Sequence, residues 1–260
     1  MTKLHQSTLH IVQEGNNIRL SGGNRTAFHR IYANDVDPLV SVITVVRNGE
    51  GTIARCIESV LAQTYGNVEH IIVDGASTDQ TVSILRSYSK DIALWVSEPD
   101  KGIYNAINKG ISLARGAFYI PLGCDDTLTP TGIESLVRRA EDNLVICGKV
   151  RFVDTEQNLK KLIYNHSAGV LIDIRAHDKL GLYDESYLIA ADTKFLRLAA
   201  RASYVKNIKD VVGEFTAGGA SSNYARTVRE HARAMRESGS WGAIRAFLWR
   251  APRLVWAAFR

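Results

Sequence analysis

Leu39-Val-Ser-Val-Ile-Thr-Val-Val46 is a nearly unbroken apolar run. A run of this kind suits a strand covered on both faces, as in parallel sheets flanked by helices. Working outward, Thr52 to Gln63 has helical spacing through Ile53, Ile57, Val60 and Leu61. Val68 to Val73 reads as the next strand, Thr81 to Tyr88 as a helix and Ile92 to Val96 as a strand. Ile103 to Ala114 reads as a helix, Ala117 to Leu122 as a strand, Ile133 to Ala140 as a helix and Leu144 to Cys147 as a fifth strand. This alternation predicts an α/β domain with a mostly parallel central sheet and helices on both faces. Beyond residue 150 the rhythm weakens to a mixed α+β half. Short strands are expected at 151–153, 159–164 and 211–215, around a helix from Asp192 to Ala202. Before the first strong strand, Leu9–Gln13 and Ile18–Ser21 are split by Glu-Gly-Asn-Asn and could pair as a hairpin. The expected organisation is an extension over 1–37, a main domain over 38–222 (halves 38–127 and 128–222), and a helical tail over 223–260.

The chain has 260 residues, 45% hydrophobic and 23% charged, an ordinary globular balance. Cys56, Cys124 and Cys147 share no motif spacing, which argues against a disulfide framework. The first ten residues contain no apolar signal-type segment, and no run of about 18 apolar residues occurs. A cytoplasmic location is therefore expected. The net charge of +5 is uneven: residues 225–260 carry eight Arg against two Glu, leaving the rest at −1. A near-neutral main domain argues against nucleic-acid binding.

Carboxylates stand at the ends of successive strands. Asp74 closes Glu69-His-Ile-Ile-Val-Asp74, and Asp125-Asp126 closes Phe118-Tyr-Ile-Pro-Leu-Gly-Cys-Asp-Asp126. Open α/β sheets bind ligands at the carboxyl ends of their strands. Asp74 could accept from a ribose hydroxyl or a base N–H; alternatively it forms a turn with Ser77-Thr78-Asp79, where Asp79 reads as a capping residue. Two adjacent carboxylates repel unless a cation lies near, so Asp125-Asp126 suits a divalent ion bridging to a diphosphate. The alternative is a turn-forming Gly-Cys-Asp-Asp-Thr. Gly102, Ala106 and Gly110 recur every four residues, making a smooth helix face with Asn108 beside it; the alternative is tight helix–sheet packing.

Six stretches in order resemble family-2 glycosyltransferases of the GT-A type. They are Val40-Ser-Val-Ile-Thr-Val-Val-Arg-Asn48, Asp-Gly-Ala-Ser-Thr-Asp-Gln-Thr at 74–81, Glu-Pro-Asp-Lys-Gly-Ile-Tyr-Asn-Ala-Ile-Asn-Lys-Gly at 98–110, Asp125-Asp126, Ile189-Ala-Ala-Asp-Thr-Lys-Phe195 and Phe215-Thr-Ala-Gly-Gly-Ala-Ser221. Bacterial exopolysaccharide transferases of the colanic-acid kind are the most similar in flavour. The resemblance implies a nucleoside-diphosphate-sugar donor, a saccharide or lipid-linked acceptor, and a Mn2+ or Mg2+ cofactor. It implies donor-pocket roles for Thr44 and Asn48, nucleoside contact for Asp74, and donor-site lining by Asp100 and Asn108. Asp125 and Asp126 would hold the metal, Asp126 most directly, and Asp192 would be the base of an inverting transfer. His166 falls where relatives often carry a His on the acceptor side. The chain departs from the common pattern at Ala76 and Gln80, where Gly is frequent, at Asn105, where Asp is frequent, and at Gly123-Cys124. Cys124 reads as a small buried hydrophobe.

In the tail, Trp241, Ile244, Leu248, Val255 and Phe259 gather on one side of a helical wheel, away from Arg250 and Arg253. That pattern suits an interfacial helix and predicts peripheral contact with the inner face of the cytoplasmic membrane through 240–260; packing on protein is the alternative. Two other enzyme classes fit poorly. A dinucleotide-dependent oxidoreductase needs Gly-x-Gly-x-x-Gly after the first strand, which is absent. A sugar nucleotidyltransferase needs a Gly-rich basic loop there, and Arg47-Asn-Gly-Glu-Gly-Thr52 is short and acidic. A non-catalytic nucleotide-sugar or carbohydrate-binding module is the remaining rival.

Overall fold

The computed structural model describes residues 10–14, 17–25, 37–154, 156, 158–164, 166–216, 218 and 224–239. The amphipathic segment at 240–260 lies outside the described residues. The elements run β1 (His10–Glu14), β2 (Asn17–Gly22), β3 (Val40–Val46), α1 (Ile53–Leu61), β4 (Val68–Asp74), α2 (Thr81–Ser87), β5 (Leu94–Ser97), α3 (Ile103–Leu113) and β6 (Phe118–Gly123). Then come β7 (Thr127–Leu128), α4 (Gly132–Val137), β8 (Val145–Val153), β9 (Leu159–Ile163), β10 (Val170–Asp173), α5 (Ala176–Leu180), α6 (Ala191–Arg201), β11 (Val205–Thr216) and α7 (Tyr224–Glu237).

The described strands form one sheet in the order β1-β2-β5-β4-β3-β6-β10-β8-β11-β7, with β9 paired to β8. β5, β4, β3 and β6 are parallel neighbours, so their carboxyl ends lie on one edge: Val46 pairs with Asp74, Asp74 with Ser97, and Val45 with Gly123. The expected hairpin is present as β1–β2, and β2 extends the sheet antiparallel to β5.

Strand parity decides which helix each residue meets. Val40 and Val42 pack with Cys56 and Val60 of α1, while Val46 meets Ile53 and Ile57. Ile43 faces the other way, against Tyr104, Ile107 and Ile111 of α3 and Phe195 of α6. The small-residue face of α3 is the reason it sits so close. A Cβ on Gly110 would fall 2.3 Å from Ile43 Cγ2, and Ala106 packs with Val73 and Val96. At Ala106 and Gly110 the stripe is helix–sheet packing, while Gly102 is the N-cap of α3.

The second half differs from the sequence expectation in three ways. The pieces expected at 144–147 and 151–153 are one nine-residue strand, β8. The short strand expected at 211–215 is the end of a twelve-residue β11, parallel to β8 with bulges between Asn207 and Gly213. Between β6 and β8 lies the unexpected β10, antiparallel to both. Nor does the main domain stop at 222. Ala234 and Met235 of α7 are buried, and Ala234 belongs to the same core as Phe195 and Ala199.

Candidate active site

The edge formed by β3, β4, β5 and β6 carries four connections, and two of them are laced together. Asn48 N–H donates to Ser77 Oγ (2.7 Å), Thr78 N–H to Asn48 Oδ1 (2.9 Å), and Gly49 N–H to Thr81 Oγ1 (2.9 Å). Glu50 N–H donates to Asp79 Oδ2 and Gln80 N–H returns to Glu50 Oε2. These bonds explain two left-handed residues that are not glycine, Asn48 (φ 52°) and Ala76 (φ 54°). Asn tolerates that conformation; Ala does so at a cost of roughly 1–2 kcal/mol, met here by the surrounding bonds. Asn48 therefore fastens the β3–α1 loop to the β4–α2 loop. Asp79 accepts from Thr81 N–H (3.0 Å) and braces the start of α2, in line with the capping reading.

Asp74 is fully buried at the tip of β4. Its carboxylate accepts from Ser77 N–H (3.0 Å), Ser77 Oγ and Ser97 Oγ (2.5 Å). Both oxygens are engaged by Ser77 and Ser97, so Asp74 ties the β4 tip to its neighbours instead of offering a free carboxylate to a ribose or base. Thr44 also needs correction as a pocket residue. By parity it faces α1, where Oγ1 meets His70 Nε2 at 2.9 Å and Cys56 Sγ at 3.6 Å. Burial pushes the His70 imidazole down to about 3, so this pair is neutral. Asn108 is a third correction. Its amide donates to the Tyr183 carbonyl (2.9 Å) and Glu185 Oε1 (3.1 Å), and Oδ1 accepts from Tyr183 N–H (3.1 Å), so it clamps the chain ahead of α6.

Asp100 stands on the same edge. Its Oδ1 accepts from Gly102 N–H (2.9 Å), at the start of α3, and its Oδ2 occupies the space beside Gly75. A Cβ on Gly75 would lie 2.2 Å from that oxygen. Gly75→Ala should expel the Asp100 carboxylate and lower stability by about 1–3 kcal/mol, read by denaturant unfolding. Because the clash is with Asp100 itself, adding Asp100→Ala should erase most of the loss; strictly additive losses would refute this account.

The acidic turn after β6 is the electrostatic centre. Asp126 is 3% exposed, and its Oδ1 has no hydrogen-bond partner among the described residues. Burial, then the charge of Asp125, raises its carboxyl well above the ordinary range; the N–H groups of Thr216 and Gly123 and the Arg55 cation pull the other way. Asp125 is half-buried. A Cβ on Gly123 would meet Asp125 Oδ1 and Asp126 Oδ2, each at 2.9 Å, so the two carboxylates converge over a residue that must be small. Arg55 of α1 donates to the Asp125 carbonyl (2.8 Å) and Thr216 Oγ1 (3.2 Å), tying the turn to the end of β11. Burial pushes the Cys124 thiol up to about 11, which keeps it protonated at neutral pH. The His166 ring packs on Phe215, centroids 4.0 Å apart, next to Thr216. Its Nδ1 accepts from Ala168 N–H (3.3 Å), and burial lowers it to about 4, leaving a neutral imidazole.

Among the described residues, no cluster of three or more His, Cys, Asp or Glu is arranged to hold a metal. The Asp125–Asp126 pair nevertheless fits a divalent cation that draws its other ligands from a bound phosphate. Asp125 Oδ1 and Asp126 Oδ2 converge over Gly123, the other Asp126 oxygen, Oδ1, has no partner among the described residues, and a hard cation prefers such donors. The structure leaves Asp125 the more accessible of the two carboxylates.

Asp192 stands in the first turn of α6. Its Oδ1 takes both bonds described for the carboxylate, from Thr193 N–H (2.7 Å) and the Tyr104 hydroxyl (3.0 Å). Burial raises its carboxyl above the ordinary value, with those two donors and His231 opposing. Tyr104 follows Gly102 and Asp100 in the chain, and Leu188 Cδ2 lies 3.8 Å from where a Gly102 Cβ would stand. The Asp100 corner and the Asp192 corner thus meet at the start of α3.

Sequence reasoning assigned no role to Arg55 or Tyr104. Tyr104 lies within the 98–110 run, four residues after Asp100 at a helix start, which is a readable signal. Arg55 carried none, because a cation among helix polar positions is ordinarily solvated.

Residues 41–203 match the family described as Glycosyl transferase family 2. An uncharacterized glycosyltransferase of Mycobacterium tuberculosis (strain CDC 1551 / Oshkosh) is 32% identical over 205 residues, spanning 72% of this chain and 78% of that protein. One from Rickettsia typhi (strain ATCC VR-144 / Wilmington) is 32% identical over 196 residues, spanning 64% of this chain and 61%, less than two thirds, of that protein. Among solved structures, the mannosyltransferase PcManGT from Pyrobaculum calidifontis, in complex with GDP-Man and Mn2+, superposes with a TM-score of 0.65 at 17% identity, over 82% of this chain and 69% of that one. S. aureus TarS 1–349 with UDP-GlcNAc gives 0.63 at 18% identity, over 77% and 65%. These likenesses show the GT-A fold. With the family model covering most of the chain and a 32%-identical relative matched over 78% of its length, the chain belongs to glycosyltransferase family 2.

Proposed function

We propose that this glycosyltransferase moves a sugar from a nucleoside-diphosphate-sugar to a hydroxyl of a saccharide or lipid-linked acceptor, with inversion, in surface polysaccharide assembly. The observation that carries the reading is the convergence of Asp125 and Asp126 over Gly123 on the edge shared with Asp100. Support comes from the structural relatives described with UDP-GlcNAc and with GDP-Man and Mn2+. Asp125 and Asp126 would hold the cation, Mn2+ or Mg2+, which would supply charge neutralisation for a departing diphosphate. Arg55, bonded to the Asp125 main-chain carbonyl, holds the acidic turn, and Gly123 leaves room for both carboxylates. Asp100 lines the donor side, and His166 with Phe215 walls the acceptor side. Asp192 accepts the proton of the attacking hydroxyl; Tyr104 holds its Oδ1, and Oδ2 carries neither described bond. A raised carboxyl is the better proton acceptor, since basicity follows pKa. No covalent intermediate is required, in keeping with a protonated, partly buried Cys124.

Incubation with UDP-GlcNAc, UDP-glucose and GDP-mannose in the presence of Mn2+ should reveal nucleoside-diphosphate release with at least one donor. Chelation should abolish it. Failure of every donor to bind, or equal release by Asp126→Ala, would overturn the proposal.

A further inference from the structure

Three consecutive N–H groups precede α6, those of Leu188, Ile189 and Ala190, and all three point to a single carboxylate. Leu188 N–H lies 3.1 and 3.0 Å from Glu230 Oε1 and Oε2, Ile189 N–H 2.7 Å from Oε2, and Ala190 N–H 3.2 Å from Oε2. Glu230 is on α7, some forty residues later in the chain and beyond the stretch matched by the family model. The arrangement answers a local deficiency. Ala190 stands at the N-cap of α6 and has no side chain to satisfy the helix's free donors. An acidic group at a helix N-terminus also meets the positive end of its dipole.

What makes the contact functional is its position. The Ile189 peptide is gripped on both sides, its N–H by Glu230 and its carbonyl by the Tyr104 hydroxyl, which is also the partner of Asp192 Oδ1. Asp192 is two residues beyond Ala190. The next residue of α7 acts on the same turn. His231 Nδ1 lies 2.8 Å from the Thr227 carbonyl, and its Nε2 lies 3.3 Å from Thr193 Oγ1.

We infer that Glu230 is a positioning residue for the transfer reaction, an external cap from α7 that fixes the start of α6 and so the direction of the Asp192 carboxylate. The inference rests on Asp192 being the base. It assigns to α7, the start of the basic tail, a part in the catalytic geometry.

The test uses the full chain with Glu230→Ala, Glu230→Gln and Asp192→Asn, assayed on whichever of UDP-GlcNAc, UDP-glucose or GDP-mannose the wild type turns over with Mn2+. Glu230→Ala should lower kcat about 10- to 100-fold, the scale of a misaligned reacting group. The donor KM should stay within about twofold, because the donor edge is built from β3 to β6. Glu230→Gln keeps one acceptor oxygen and should recover part of the rate. Amide exchange at Leu188, Ile189 and Ala190 should quicken in Glu230→Ala and less in Glu230→Gln. Full kcat in Glu230→Ala beside an inactive Asp192→Asn would overturn this inference alone, as would a rise in donor KM matching the loss of kcat. Unchanged exchange at the three amides would overturn it even if no donor were turned over, whereas an active Asp192→Asn would bring down the underlying assignment of the base.

Discussion

Asp192→Asn should lower turnover by about 10²- to 10⁴-fold, the range that a positioned general base contributes, while leaving the protein folded and able to bind donor. The structure favours a clean experiment. Oδ1 of Asp192 accepts from Tyr104 and from Thr193 N–H. An asparagine can place its carbonyl oxygen in the same position, so the tie to α3 persists. Stability should not fall either. Burial raises the Asp192 carboxyl, so the folded protein holds this proton more tightly than the unfolded chain does. Between the ordinary carboxyl value of 3.8 and the raised folded value, the native state binds more protons. Stability supplied by this group therefore drops as pH rises through that window, and is lowest at neutral pH. The asparagine variant carries no such penalty and should melt no lower than wild type at pH 7. The acidic limb of kcat/KM should lie above the ordinary carboxylate range in wild type and vanish in the variant. Near-normal turnover in a folded Asp192→Asn protein would remove Asp192 from the reaction.

The parallel core was legible because its strands are apolar on both faces. Val40 to Val46, Val68 to Val73 and Phe118 to Leu122 announce themselves without any knowledge of their partners. β10 was not, although Val170-Leu-Ile-Asp173 is a short apolar run, because four residues carry little periodicity and its antiparallel insertion between β6 and β8 is a tertiary decision. β11 was half-hidden for a different reason: Lys206, Asn207, Lys209 and Asp210 break the apolar pattern where the strand bulges. The acidic edge was readable as positions but not as directions. Parity alone puts Thr44 on the face of Val42 and Val46, toward α1, and that was available from the sequence. The inward turn of Asp74 was not, since it depends on Ser97 arriving from the next strand. Asn108 reads as a pocket residue by proximity to Ala106, yet helical spacing puts it one turn after Tyr104, facing the segment ahead of α6. Glu230 could not be found at all, because its meaning lies in three backbone N–H groups some forty residues earlier.

Mn2+ should raise the melting temperature of the wild-type chain, and Asp126→Asn should reduce that rise while leaving the metal-free protein at least as stable. The metal-free site holds an internal conflict. Asp126 is desolvated, faces the charge of Asp125 and keeps one oxygen without a partner among the described residues, and two backbone N–H groups with Arg55 only partly compensate. A cation reverses that balance by giving both carboxylates a common counter-charge. At a concentration about 100-fold above its Kd, binding contributes about 2.7 kcal/mol, or roughly 5–10 °C for a chain of this size. The increment should grow with pH, because the ion must displace the proton that burial holds on Asp126; on acidification, protonation competes and the effect fades. Asp125→Asn separates the roles of the two residues. If the half-buried Asp125 supplies the direct ligand and Asp126 the supporting charge, Asp125→Asn loses the Mn2+ effect completely and Asp126→Asn weakens it by a smaller factor. An undiminished, pH-independent Mn2+ shift in Asp126→Asn would mean that the ion binds elsewhere, and the unpartnered Asp126 oxygen would then need another occupant.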